Sequence, residues 1–164
     1  MYKSLLVLFT LAALLACTDI TISNVNSQNT AQKTKLTIYK RESCGCCNSW
    51  ITHLDKNHFD TQALNDEKLT QFKLNKDIKP RYHSCHTAVS QDGFVFEGHI
   101  PAKYIQQFLK NKPEDVIGLA VPAMPIGSPG MEMGNRFSPY QVLLLKKGGS
   151  YSVFAQVSSQ KEQY

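Results

Sequence analysis

Three cysteines occupy four positions in RESCGCCNSW, residues 41–50. Cys44 and Cys47 have the C-x-x-C spacing of a dithiol redox site, and Cys46 is one thiol more than that chemistry needs. At a helix start, residues i and i+3 share a face and can meet a common partner. The free amides and partial positive charge of a helix N-terminus favour the thiolate, which is both the metal ligand and the nucleophile. Lys40 and Arg41 add positive charge nearby. Cys46 stands roughly 100° around a helix from Cys47, so it cannot join both neighbours on one tetrahedral ion without bending the backbone. Gly45 lets the backbone bend, and Cys46 can instead bridge to a second ion. This pattern suits a multinuclear thiolate cluster better than structural zinc, which asks for separated pairs or for histidines at set spacing. Soft thiolates select Cu(I). The spacing also suits a plain Cys44–Cys47 disulfide, with Cys46 spare or paired to Cys85.

The fourth thiol of this set, Cys85, lies in YHSCHTAVS, directly before a strand signal. His86 beside it is a further candidate ligand or hydrogen-bond partner. His83 is a weaker one, and His99, in EGHIPA, is expected at a strand end in the same general region. His53 and His58 are expected on solvent-facing helix positions. The segment AMPIGSPGMEMG contributes Met124, Met131 and Met133, whose thioethers are soft ligands and also flexible filler. Its prolines and glycines make it a stiff, sharply turned candidate cover for the site.

The elements that must position these groups read in order. LTIYK, 36–40, is β-branched and aromatic and predicts a strand. SWITHLDKNHF has helical apolar spacing at Trp50, Ile51 and Leu54. DTQAL predicts a weak strand, and DEKLTQFKLNKD a second helix with Leu69 and Phe72 three apart. HTAVS and GFVFEG predict a hairpin across QDG. PAKYIQQFLKN predicts a helix opening on Pro101 with Ile105, Phe108 and Leu109 on one face. The order β-α-β-α-β-β-α is that of an α/β thioredoxin-like fold, in which the turn before the third strand packs against the C-x-x-C loop. That places Cys85 and His86 opposite the other three cysteines. A Pro/Gly/Met loop follows, and QVLLLKK and YSVFAQ predict a C-terminal β-hairpin.

The chain has 164 residues, 42% of them hydrophobic and 10% aromatic, enough for one small domain with a core. The net charge of +5 comes without a long run of Lys and Arg, so no nucleic-acid partner is expected. Lys3, the apolar stretch Leu5–Ala16 and Cys17 have the layout of a signal peptide, too short to span a bilayer. The ending LLAC resembles a bacterial lipoprotein signal, which implies cleavage before Cys17 and lipidation of Cys17; an ordinary secretory signal cut nearby is the alternative. Residues 1–17 are thus expected to be the signal, 18–34 a polar tether, and 35–158 the metal-binding domain. The expected compartment lies outside the cytoplasm, where thiols oxidise.

CGCC after a strand, SCHTAV, EGHIPA and GLAVPAMPIGSPGME together resemble the CopG-type copper-resistance proteins, a bacterial metal-binding family formerly of unknown function. The resemblance runs from about Leu36 to Ala155. It implies a thioredoxin-like fold, an exported location and a cysteine-bridged copper cluster on Cys44, Cys46, Cys47 and Cys85. It also implies a part in copper tolerance, by cycling copper between its two oxidation states. Ala123 departs from the glycine usual before Met-Pro in that family, which bears on how closely this loop approaches the site. The expected partners are copper ions, envelope copper-handling proteins and, through the lipid, a membrane on the periplasmic side, with outer favoured over inner because Thr18 follows Cys17. The rival function is a thiol-disulfide oxidoreductase in which Cys44 attacks and Cys47 resolves. A zinc-stabilised binding module is a third reading, which leaves the vicinal Cys46–Cys47 pair unexplained.

Overall fold

A computed structural model describes residues 33–164. The expected signal, the lipidation at Cys17 and all but the end of the tether lie outside the described residues. The elements are β1 (Thr34–Lys40), α1 (Gly45–Lys56), β2 (Phe59–Asn65), α2 (Leu69–Asn75), β3 (His86–Ser90), β4 (Val95–Glu97), α3 (Ala102–Lys110), β5 (Val116–Ala120), β6 (Tyr140–Lys146) and β7 (Tyr151–Val157). One seven-stranded sheet takes the order β2-β1-β3-β4-β5-β6-β7. β1 and β2 are parallel around α1, while β3 and β4 form the antiparallel hairpin expected across Gln91–Gly93. The β-α-β-α-β-β-α order of the thioredoxin type is present, and the C-terminal hairpin is β6–β7.

β5 was not expected. Its five residues, VIGLA, carry a glycine at the centre and lie one residue short of Pro122, which weakens the strand signal. Gly118 is there for close approach: its φ is +150°, and a Cβ would overlap the Val95 carbonyl of the neighbouring strand. β5 runs parallel to β4 and joins the hairpin to the sheet.

Register explains why one end of this sheet collects function. Lys40 at the end of β1 pairs with His86 at the start of β3. Glu97 at the end of β4 pairs with Thr87 on one side and Ala120, the end of β5, on the other. Four segments therefore leave or enter the sheet at the same end: residues 41–47, 83–86, 98–100 and 121–124. The core anchors them from behind. Trp50 and Leu54 of α1 and Ile105 and Phe108 of α3 share a buried cluster with Ile38, Ala88, Phe96 and Leu119. Val95 and Ala120, adjacent in their strands, pack on the opposite face with Ile78 and Tyr82. No helix among the described residues is long and apolar enough to cross a membrane.

Candidate metal centre

Cys44 is the N-cap of α1, in extended conformation and without a side-chain cap, and no acidic residue sits in the first turn. The helix tip is left electropositive beneath the sulfurs. Cys44 and Cys47 are joined by a disulfide, whereas Cys46 and Cys85 are free thiols, both half-buried. Cys46 Sγ lies 3.6 Å from Cys44 Sγ, and Cys47 Sγ lies 3.8 Å from the Cys85 carbonyl. The four sulfurs all lie within 4.8 Å of one another. The convergence expected from the fold is thus present, with two of the four sulfurs in the oxidised form.

Cys85 does not share the low pKa expected at a helix tip. Burial, then the neighbouring Cys46, push its thiol up to about 11, and Lys73 pulls it back only in part. At neutral pH Cys85 carries its proton, and a metal ion must displace it.

The turn that presents Cys85 is fixed from below by groups the sequence did not single out. Lys73 of α2 and Glu97 of β4 form an ion pair, 1% and 0% exposed. Lys73 Nζ also donates to the Ser84 carbonyl at 2.8 Å. Glu97 accepts from the Ser84 amide at 2.5 Å, from Ser84 Oγ at 2.7 Å and from Thr87 Oγ1. Burial lowers the Lys73 pKa, and the Glu97 carboxylate opposes that shift. Nothing in the periodicity of α2 distinguished Lys73 from an exposed helical lysine.

His86 and His99 are both fully buried and meet edge to face, with ring centroids 4.9 Å apart. His86 also packs on Trp50, 4.4 Å between centroids, while the Trp50 indole donates to the Ile100 carbonyl at 2.8 Å. Burial holds the His86 pKa well below the usual histidine value, with His99 and Lys73 adding to the effect. Burial lowers His99 too. Both rings are neutral at physiological pH. His99 Nδ1 pairs with the Pro129 carbonyl at 2.9 Å, which ties the Pro/Gly/Met loop to the end of β4.

That loop covers the site as expected. Gly130, at φ +84°, presses on the first turns of α1; a Cβ there would come within 2.6 Å of the Trp50 nitrogen and 2.9 Å of the Cys46 carbonyl. Met124 Sδ lies 3.7 Å from Cys85 Sγ. Met131 instead closes a tight turn through its backbone onto Ser128, and Met133 Sδ receives Arg136 at 3.4 Å. Ala123 holds the left-handed backbone, φ +61°, that a glycine would adopt without strain. The loop reaches the sulfurs all the same.

The other histidines are placed apart from the sulfurs. His83 Nε2 bonds the Ile78 carbonyl at 2.8 Å, and His58 is exposed. His53, expected in solvent, accepts the Ala102 amide at 3.0 Å and so caps α3, which lacks a side-chain cap at Pro101. Burial accordingly lowers its pKa. A shallow pocket of about 310 Å³, lined by Arg41, His83, Ser84, Cys85, Ala123 and Met124, opens the sulfurs to solvent.

Comparison with known proteins fits this geometry. The family described as "Protein of unknown function, DUF411" matches residues 82–131. No functionally curated protein matches. Two solved structures, "Copper resistance protein copG- Form 1" and its Form 2, are each 38% identical to this chain with a TM-score of 0.72. The alignment covers 76% of this chain and 98% of each of those chains.

Proposed function

This chain belongs to the family of the copper resistance protein copG, and from that premise we propose that it binds copper, holding Cu(I) in a cluster bridged by Cys44, Cys46, Cys47 and Cys85. The observation that carries the reading is the meeting of four sulfurs, from segments 38 residues apart in sequence, within 4.8 Å. The donor set is all sulfur and fits a soft monovalent ion. Reduction of the Cys44–Cys47 disulfide supplies two of the ligands, so metal loading and thiol redox state are coupled. His86 and Met124 border the sulfurs as further ligands; Met131 and Met133 make other contacts and are weaker ones.

In the cell, the protein contributes to copper resistance by sequestering copper or by changing its oxidation state for an envelope copper-handling partner. We place it on the periplasmic side of the envelope, held by a lipid on Cys17, with the outer membrane favoured. Labelling with a radioactive fatty acid, abolished by Cys17→Ser, tests the anchor.

The test of the cluster is anaerobic loading of the reduced chain with Cu(I), followed by a count of ions per chain. More than one ion is expected, with a marked drop in Cys46→Ser. At most one ion per chain, unaffected by Cys46→Ser, rejects a cluster. The disulfide itself favours a second reading, a thiol-disulfide oxidoreductase using Cys44 and Cys47. Disulfide exchange of that kind survives Cys46→Ser and Cys85→Ser, whereas a four-sulfur cluster survives neither.

A further inference from the structure

We propose that Gln163 and Tyr164 are positioning residues: they clasp the 125–131 loop shut over the first turns of α1 and so suppress spontaneous loss of a bound ion. That the ion is copper rests on the proposed function above; the clasp itself rests on Gln163. After β7 the chain turns back through a short 3₁₀ segment, Gln160–Gln163, against the loop. Gln163 is 1% exposed. An amide side chain is costly to bury unless both its ends find partners, and here both do. Tyr140 Oη donates to Gln163 Oε1 at 2.6 Å, and Gln163 Nε2 donates to the Gly127 carbonyl at 2.8 Å. The carbonyl can only accept, which fixes the orientation of the amide and leaves Tyr140 as the donor. Burial above all raises the Tyr140 pKa, so the phenol keeps the proton it donates.

Tyr164 adds a second fastening. Its hydroxyl donates to Glu132 Oε1 at 3.2 Å, and Glu132 Oε2 accepts the Gly130 amide at 2.8 Å. Gly130 is the residue pressed on Trp50 and on the Cys46 carbonyl. The clasp is itself fixed to the body: Tyr104 Oη donates to the Glu162 carbonyl at 3.2 Å, and the Tyr164 ring meets His53 edge to face. The loop, by contrast, is bonded mostly to itself. The Gly127 amide donates to the Met131 carbonyl, the Met131 amide to the Ser128 carbonyl and Ser128 Oγ to the Pro125 carbonyl. Between residues 122 and 138, hydrogen bonds through nitrogen or oxygen reach the rest of the described residues at Pro129 from His99, at Gly127 from Gln163 and at Glu132 from Tyr164. The clasp thus supplies two of these three ties. A segment bonded to itself and tied at few points opens as a unit. Each tie removed raises its open population by the factor one net hydrogen bond is worth, about two- to tenfold.

The test is hydrogen exchange and copper release on the full chain. Gln163→Leu alone would strand the Tyr140 hydroxyl, so it is combined with Tyr140→Phe; replacing both partners by apolar groups keeps global stability near the parent's. In the metal-free double variant, the Gly127 and Met131 amides should exchange about two- to tenfold faster, while amides of β1 and β6 keep the parent's rates. A merely structural role would speed the sheet amides along with those of the loop. Tyr164→Phe, at an exposed position, should speed the same loop amides about twofold. In the Cu(I)-loaded double variant, the part of the release rate that does not depend on competitor concentration should rise about two- to tenfold. Loop amides that exchange as in the parent, or that speed up only together with the sheet, overturn the proposal, as does unchanged spontaneous release. A parent protein that takes up no Cu(I) would instead sink the copper reading, and the exchange rates alone would decide the clasp.

Discussion

The turn at residues 84–86 has sulfurs above it and an ion pair below it, and the two sides are built on opposite terms. Above, Cys46 and Cys85 are half-buried and Met124 is about half exposed at 49%, so the sulfurs can shift to suit an ion or a disulfide. Below, Lys73 and Glu97 are shut away from water, and the acidic partner accepts from Lys73, from Ser84 twice and from Thr87. A buried ion pair is worth keeping only when its remaining hydrogen-bonding groups are satisfied, as they are here. The comparison teaches a division of labour: the backbone that carries Cys85 is pinned from beneath so that its sulfur can stay adaptable.

Glu97→Ala should break that arrangement with the largest effect. Lys73 would be left as a buried, unpaired charge, and about 3–5 kcal/mol of folding stability should be lost in chemical denaturation. A loss under about 1 kcal/mol would mean that the lower layer does not fix the turn. Cys85→Ser tests the upper layer from the other direction. Stability should stay within about 1 kcal/mol of the parent, while metal analysis of the reduced, Cu(I)-loaded protein shows the cluster gone.

A third measurement uses pH on the metal-free protein. His53, His86 and His99 all have folded pKa values below the ordinary 6.5, first because of burial. The unfolded chain therefore binds more protons than the native one as pH falls through 6.5. Their contribution to stability is complete above that value and is lost on acidification, with the midpoint of urea unfolding dropping between about pH 7 and pH 5. A flat profile would show that these rings are not held neutral. The smallest effect is expected from Ala123→Gly, which relieves a left-handed alanine at the rim of the sulfur layer. A gain of about 0.5–1 kcal/mol in thermal or chemical unfolding is expected, because the relief of strain exceeds the added freedom of glycine in the unfolded chain. Unchanged Cu(I) uptake in this variant would show that the strain bears on stability and not on metal binding.

Local signals carried much of this structure. The strand at 36–40, the C-x-x-C helix start, the hairpin across Gln91–Gly93 and the helix after Pro101 each have their own periodicity or turn chemistry, and the thioredoxin-type order follows from them. The meeting of Cys85 with Cys46 followed in turn from that order. What the sequence hid was pairing at a distance. Lys73 and Glu97 are 24 residues apart and individually look like surface charges. β5 was masked by its central glycine, which is there because Val95 leaves no room for a side chain. His53 was placed in solvent because a helical position facing another helix's N-terminus cannot be told from an exposed one by spacing alone. Among the methionines, composition gave three equal candidates, and only the fold separated Met124 from Met131 and Met133.

The pocket over Cys85 is roomier than a bare ion requires. Its 310 Å³ would admit the tip of a partner's cysteine or methionine, reaching past Arg41 and Met124 to the Cys85 sulfur. Copper could then pass by ligand exchange, gaining a new donor before it loses an old one, and never travel as a free hydrated ion. If the chain binds copper as proposed, an opening of that size would let an incoming side chain, and not spontaneous escape, set the rate of hand-over.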